Sequence, residues 1–306
     1  MKIALTGGTG FFGKWIIDMY GDKYDFLLIG RNKDINEFVY KHKKYKYVAT
    51  DFSKNDLIEM LKGVDAVIHL AAQRPGVDYA NEGFDATMKN IEMSINIFEA
   101  CRTNNIKNVV FASSISNYSE KNELPWKEDM NVQPLGFYGI GKVAVENIAN
   151  YYNEKKGMFI KCLRVARVVG VGEREGFMLM NFINQAYRKE TLNLFGKGVG
   201  RREYIYVKDV ADAFIKAINC PDKKGIFNIG TNKNTSHKEL AEIINKVFDN
   251  EGNLKLLSDK PEDTTNFLMD CSKATNELGW KYKWELEDAL YDMKKIMLVF
   301  PCIVLS

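Results

Sequence analysis

Lys2-Ile3-Ala4-Leu5-Thr6-Gly7-Gly8-Thr9-Gly10-Phe11-Phe12-Gly13 decides the fold. Residues 2–7 are a short apolar run and Lys14 to Tyr20 reads as a helix, so a glycine turn joins a strand to a helix. Glycines let the backbone approach a pyrophosphate, and the start of the helix offers unbonded N–H groups and the positive end of its dipole. Gly7, Gly10, Phe11, Phe12 and Gly13 are therefore candidate cofactor-binding residues. A tight turn with no ligand would look the same in isolation, so the rest of the chain has to supply the other parts.

The pattern repeats downstream. A second strand, Asp25 to Ile29, ends at Gly30-Arg31-Asn32. An acid at this point bonds the ribose 2′-OH of NAD; here there is none, and Arg31 could pair with a 2′-phosphate through its planar fork. NADP(H) is therefore favoured over NAD(H), although an Arg31 that only stacks on the adenine would admit either. A third strand, Tyr45 to Thr50, ends at Asp51-Phe52, which could hold the adenine amino group and ring; the alternative for Asp51 is a helix N-cap, for which Ser53 competes. Helix 53–62 and strand Ala66 to Leu70 follow. Leu70-Ala71-Ala72 then offer small residues over which a cofactor could lie. Helix 84–104 carries Ile91, Ile95, Phe98 and Cys101 at helical spacing, and its polar Asn90 could tie it to a neighbouring strand.

Strand Asn108 to Ala112 leads into Ser113-Ser114, and a proline-bearing loop leads to Phe137-Tyr138-Gly139-Ile140-Gly141-Lys142. Tyr138 and Lys142 stand four apart at the head of helix 138–156, one turn apart on one face. A phenol loses its proton near pH ~10, and a nearby cation favours the phenolate, so Tyr138 could exchange a proton with a substrate oxygen near neutral pH. Alone, the pair could equally be surface residues. Strand Phe159 to Val165 completes an alternation of strands and helices that predicts an α/β fold with a doubly wound parallel sheet, whose ligands bind at the strands' carboxyl ends.

Composition narrows the function classes. A chain of 306 residues holds about two domains, or one α/β domain with a cap. A net charge of +3 with scattered basic residues gives no footprint for nucleic acid; the short run Lys41-His42-Lys43-Lys44 reads as a solvated loop. Cysteines 101, 162, 220, 271 and 302 form no framework spacing, which predicts unpaired thiols in a reducing cytoplasm. Histidines 42, 69 and 237 are far apart, so no metal site is expected, and His69 reads as a packed core residue. No apolar run approaches the ~20 residues of a membrane span. The apolar end, Ile296 to Ser306, is expected to pack on the body or in a subunit contact; Cys302 stands fifth from the end, not fourth as prenylation requires.

Taken in order, these parts resemble the extended short-chain dehydrogenase/reductase family, in particular its NAD-dependent nucleotide-sugar epimerases, dehydratases and 4-keto-sugar reductases. The resemblance rests on Gly7-x-x-Gly10-x-x-Gly13, Asp51-Phe52, Leu70-Ala71-Ala72, Asn90, Ser113-Ser114, Tyr138-x-x-x-Lys142 with Glu146, and Leu163-Arg164. It continues through Gly170-x-Gly172, Phe195-Gly196, the segment Arg202 to Val210, Phe227 to Gly230 and Leu278-Gly279-Trp280. It implies a Rossmann domain over residues 1–170, joined by a strand and helix near 203–219, with residues 171–202 and 220–306 forming a smaller α/β substrate-binding cap. It implies Ser114, Tyr138 and Lys142 as catalytic residues, with Tyr138 and Lys142 also at the cofactor and Ser114 and Tyr138 at the substrate. Arg202 would hold the diphosphate of a nucleotide sugar, unless it pairs with Glu203 or Asp209. A homodimer through helices 84–104 and 138–156 is implied as well.

The chain departs from the family pattern in places. Asn117-Tyr118-Ser119 replaces Val-Tyr-Gly, Gly141 replaces a serine, and Arg167 replaces an asparagine that faces the substrate. No second diphosphate arginine occurs in 261–266, so the clamp is one-sided or uses Arg167. Dehydratases of the family carry Asp-Glu after the catalytic serine, whereas Ile115-Ser116 follow Ser114. With Arg31 favouring NADP(H), the leading expectation is a nucleotide-diphosphate 4-keto-(deoxy)sugar reductase; an NAD-dependent 4-epimerase is the alternative, and an NADP-binding or sensing protein without turnover a third.

Overall fold

A computed structural model describes residues 1–73 and 83–299. The first half alternates as the sequence predicts: β1 (Lys2–Thr6), α1 (Phe11–Tyr20), β2 (Asp25–Gly30), β3 (Glu37–Tyr40), β4 (Lys43–Ala49), α2 (Lys54–Met60), β5 (Ala66–His69), α3 (Phe84–Thr103), β6 (Asn108–Ser114), one 3-10 turn (Ile115–Asn117), α4 (Phe137–Lys155) and β7 (Phe159–Val165). The second half comprises β8 (Arg167–Val169), α5 (Met178–Tyr187), β9 (Leu192–Phe195), β10 (Arg201–Arg202), β11 (Tyr204–Tyr206), α6 (Val207–Ile218), β12 (Gly225–Ile229), β13 (Thr235–Ser236), α7 (His237–Val247), β14 (Leu254–Leu257), α8 (Ser272–Leu278) and α9 (Leu286–Val299).

The main sheet has the order β12-β7-β6-β5-β1-β2-β4-β3, and all its pairings are parallel except β3 with β4. Strand residues alternate between two cores. Ile3, Leu5, Phe26 and Leu28 face one core with α1 and α6; Ala4, Leu27 and Ile29 face the other with α2, α3 and α4. β1 pairs with β2 on one side and β5 on the other, so the direction of strand progression reverses there. That reversal opens the crevice in which such sheets bind ligands.

Two expectations need correction. Lys41 to Lys44 is a hairpin rather than a loop: Lys41 and His42 take left-handed backbone angles (φ 46 and 66) and form the two-residue turn between β3 and β4. The strand of the 203–219 segment, β11, pairs with β8 and not with the main sheet, whose edge is extended instead by β12 beside β7. Residues 225–229, assigned to the cap on sequence, thus belong to the main sheet. Beyond it stand three two-stranded sheets, β8–β11, β10–β13 and β9–β14, among the described residues. Among the described residues no helix is long and apolar enough to cross a membrane. Cys101, Cys162, Cys220 and Cys271 are unpaired thiols. Cys302 and the tail from residue 300 lie outside the described residues.

Candidate active site

The carboxyl ends of β1, β2, β4 and β5 enclose a cavity of about 900 Å³. Its lining includes Gly7, Gly10, Phe11, Phe12 and Gly13, then Arg31, Asp51 and Phe52, then Leu70, Ala71 and Ala72, so the sequence-predicted cofactor residues converge. Gly7 has φ +69, and a Cβ there would stand 2.8 Å from the Ala71 nitrogen. A Cβ on Gly13 would stand 2.4 Å from the Gly8 Cα. The glycines are therefore required by the turn itself. The anion-binding character comes from α1, whose first turn has neither a capping side chain nor an acid. A cavity of this size, ending on an uncapped helix N-terminus, fits a dinucleotide.

The rim residues play different parts. Arg31 is exposed at the cavity edge beyond β2. The Asp51 carboxylate accepts the Ser53 N–H at 2.8 Å, which holds its pKa below the ordinary value, while Ser53 takes the N-cap position of α2. The Phe52 ring is packed in the core beneath α2, so it offers no platform to an adenine. Its carbonyl instead accepts from Asn96 Nδ2 at 3.1 Å. Sequence reasoning missed Tyr47: its hydroxyl lines the cavity, accepts the Asn32 N–H at 2.9 Å, and stands where a Cβ on residue 30 would be.

The cavity floor is tied together by one chain of hydrogen bonds. Ala71 N–H donates to Thr6 Oγ1 (3.1 Å), which lies 2.8 Å from His69 Nδ1; His69 Nε2 lies 3.1 Å from Ser94 Oγ, which donates to the Asn90 carbonyl (2.8 Å). Ser94 has a single proton and the carbonyl can only accept it, so His69 Nε2 carries a hydrogen and Nδ1 accepts from Thr6. Burial, with the charge of Lys142 second, pushes the His69 pKa down to about 3, and the ring is neutral. His69 is a core histidine, as the sequence predicts. Asn90 does tie α3 to the sheet: its amide exchanges two hydrogen bonds with the Gln73 backbone, at 2.7 and 2.8 Å.

Tyr138 and Lys142 line a smaller pocket that shares Ala71, Ala72, Gln73 and Asn90 with the large cavity. Lys142 is buried, donates to the Ala112 carbonyl at 2.6 Å, and stands 5.6 Å from the centre of the Tyr138 ring. Gly141, unusual at its position, lets α4 approach α3: a Cβ there would meet the Thr87 methyl at 2.9 Å. Gly139 lets the first turn of α4 dock on the 3-10 turn, since a Cβ would stand 2.7 Å from the Ser116 carbonyl oxygen. That turn starts at Ser114, whose hydroxyl accepts from Ser116 N (3.2 Å) and Oγ (2.9 Å). This contact ties the turn that follows Ser114 to the head of α4, where Tyr138 stands.

Beneath this contact lies a buried polar network. Arg164 and Glu146 form a bidentate pair at 3.0 and 2.7 Å. Glu146 also accepts from Ser113 Oγ (2.6 Å) and Asn117 Nδ2 (2.9 Å). The Arg164 guanidinium lies 4.5 Å from the centre of the Tyr118 ring, whose hydroxyl donates to Asn228 Oδ1 at 2.6 Å. Asn117, a departure in the sequence pattern, and Tyr118 are thus the residues that anchor the Ser114 turn.

Arg202 pairs with neither Glu203 nor Asp209. Its guanidinium bonds Asp263 and Thr265 and lies 4.1 Å from the Phe267 ring centre. Glu203 is buried and accepts backbone N–H groups from Thr231, Asn232 and Met269. Asp209 accepts from the Lys283 and Trp284 N–H groups. Arg167 is exposed and stacks on Phe177 at 4.6 Å. Among the described residues no group of three His, Cys, Asp or Glu could hold a metal ion.

Comparison with known proteins completes the picture. The family model for the NAD dependent epimerase/dehydratase family matches residues 3–230. The chain belongs to this family. It is 34% identical to a putative UDP-glucose 4-epimerase of Methanocaldococcus jannaschii, covering 94% of this chain and 95% of the relative. Among solved structures it resembles UDP-N-acetylglucosamine 4-epimerase from Bacillus cereus, with a TM-score of 0.87 and 35% identity over 97% of this chain and 96% of that one. It also resembles the UDP-N-acetylglucosamine 4-epimerase from Methanobrevibacter ruminantium in complex with UDP-N-acetylmuramic acid, with a TM-score of 0.87 and 28% identity over 97% and 98%.

Proposed function

We propose that this family member is a UDP-sugar 4-epimerase with a resident NAD(H). The observation that carries the reading is Tyr138 and Lys142 in a small pocket adjoining a dinucleotide-sized cavity, in a chain 35% identical almost throughout to a UDP-N-acetylglucosamine 4-epimerase. It displaces the 4-keto-sugar reductase expectation, which rested on Arg31 and NADP(H). Arg31 is exposed on the rim, where it can stack on the adenine without a 2′-phosphate.

The uncapped N-terminus of α1 would hold the pyrophosphate, Asp51 the adenine amino group, and Lys142 the nicotinamide ribose. When bound, the nicotinamide supplies the acceptor, and then the donor, of the C4 hydride. Tyr138 removes the proton of the C4 hydroxyl as that carbon becomes a carbonyl, and returns it after the sugar has presented its other face. Ser114 bonds the same oxygen and holds it toward Tyr138. Lys142 supplies a fixed positive charge one turn from the phenol, favouring the phenolate. Arg202 anchors the diphosphate, with Asp263 and Phe267 fixing its plane. The substrate then spans from the end of β6 to β10. Exposed Phe84, Met88, Ile140 and Tyr151 on α3 and α4 suit a homodimer through these helices.

The test is incubation of the purified protein with UDP-N-acetylglucosamine or UDP-glucose and no added cofactor, followed by separation of the C4 epimers. Inversion, together with release of NAD on denaturation, supports the reading. Stoichiometric consumption of NADPH with a 4-keto-sugar, without inversion, refutes it in favour of the reductase.

A further inference from the structure

The sugar ring would lie between the Ser114–Tyr138 end and Arg202, and one unbalanced charge stands beside that path. In register, Ser114 pairs with Val165 at the end of β7, and Arg167 follows two residues on as the first residue of β8. Strand spacing puts its backbone about 8 Å from that of Ser114. On its other side, Arg167 pairs with Tyr204 of β11, two residues after Arg202, so the line from Ser114 to Arg202 crosses the end of β7 just below Arg167. The fields of Arg167 and Arg202 both reach the Tyr204 hydroxyl.

The two arginines differ in their partners. Arg202 is neutralised by Asp263 and fixed by Thr265. Arg167 has no carboxylate partner among the described residues; its guanidinium lies over the Phe177 ring, and the residue is exposed. Stacking of this kind pre-orients a planar fork of donors at little entropic cost. Such a fork matches a carboxylate bidentately. On the substrate path just described the fork would stand beside the hexose, where a uronic acid carries a carboxylate.

We propose that Arg167 recognises a carboxylate on the sugar, making the preferred substrates UDP-sugars with an acidic substituent, such as uronic acids, in place of neutral hexoses. This inference rests on the 4-epimerase reading. It is tested by measuring kcat/KM for C4 inversion, and equilibrium binding, of UDP-glucuronic acid against UDP-glucose and UDP-N-acetylglucosamine, for the wild type and for Arg167→Asn and Arg167→Lys. The expected result is a wild-type preference for UDP-glucuronic acid of at least ~10-fold, a loss of most of that ratio in Arg167→Asn, and partial retention in Arg167→Lys. Equal or better use of the neutral sugars by the wild type would overturn it while leaving the 4-epimerase reading intact. An Arg167→Asn variant that weakens acidic and neutral sugars alike would also overturn it, by assigning Arg167 to the diphosphate. If no sugar is inverted, the 4-epimerase reading fails, and the binding ratio still decides what Arg167 recognises.

Discussion

Replacing Glu146 by leucine tests how the Ser114 turn is held. Glu146 and Arg164 are buried, at 4% and 2% exposure, and make two parallel bonds. Burial opposes the charge on Arg164, yet the bonds to Glu146 outweigh it and drive its pKa up. Glu146→Leu strands that charge, a loss of about 3–5 kcal/mol for a buried pair broken on one side. Ser113 Oγ and Asn117 Nδ2 lose their common acceptor as well; unmet bonds of this kind cost about 1–3 kcal/mol each, partly overlapping the first loss. The sum is a large share of a typical stability of ~5–15 kcal/mol. Urea unfolding should show a stability lowered by this amount, read as a lower midpoint at an unchanged slope. In Glu146→Leu/Arg164→Met no charge is stranded, so most of the stability should return. Turnover should not, because Ser113 and Asn117 still lack the oxygen that aligns the turn carrying Ser114. A single variant losing less than about 1 kcal/mol would refute the reasoning, as would a double variant no more stable than the single one.

Tyr138→Phe should lower turnover by at least ~10²-fold with an unchanged melting temperature, since it removes the proton-transfer group from a side chain that is 39% exposed. Gly141→Ser should cost about 1–3 kcal/mol, because its Cβ meets the Thr87 methyl; adding Thr87→Ser, which deletes that methyl, should restore chemical stability to near wild type. His69, whose pKa burial lowers to about 3, takes up a proton in the unfolded chain near pH ~6.5 but not in the folded one. Its contribution is therefore full above pH ~6.5 and lost as the pH falls toward 3, by up to about 1.4 kcal/mol per pH unit. In unfolding measurements across this range, the stability difference between wild type and His69→Gln should shrink on acidification; a constant difference would exclude the titration. Glu203 accepts Thr231 and Asn232 at one oxygen and Met269 at the other, so Glu203→Gln turns its NH2 toward one of these sets of N–H groups and should lower stability by about 1–3 kcal/mol in the same assay at pH 8.

The sequence made local features readable and long-range partners opaque. The glycine turn, the alternation of β1 to β7 and the Tyr138–Lys142 spacing each follow from a period of two or 3.6 residues, and each appears where expected. The β3–β4 hairpin escaped because Lys41 and His42 adopt left-handed angles without the glycine or asparagine that marks such turns. The place of β12 was hidden because a short apolar strand does not name its neighbour; only pairing with β7 from Phe227 to Leu163 sets it. Arg202 was recognisable as a binding residue, but Asp263, its partner, is 61 residues away. Phe52 misled because its aromatic type suggested a ring platform, whereas its backbone turns left-handed (φ 67) and sends the ring into the core.

The histidine chain shows why a buried neutral ring belongs beneath this site. Thr6 ends β1 at the glycine turn, His69 ends β5, and Ser94 and Asn90 stand on α3, so four bonds in one direction lock the cofactor cradle to α3 and run on to the Gln73 carbonyl. The direction depends on a single ring proton. A second proton would make Nδ1 a donor, so the Thr6 hydroxyl hydrogen would lose its acceptor at the oxygen that also holds the Ala71 N–H. It would also place a cation near Lys142, whose own charge already helps to push the His69 pKa down after burial. Neutral His69 therefore serves both halves of the site: it accepts the Thr6 hydroxyl beside Ala71, and it adds no second cation near Lys142. Because the same ring satisfies both conditions, substitutions there should disturb the cradle and the catalytic pair together, whereas substitutions at Arg31 should touch the cofactor end alone.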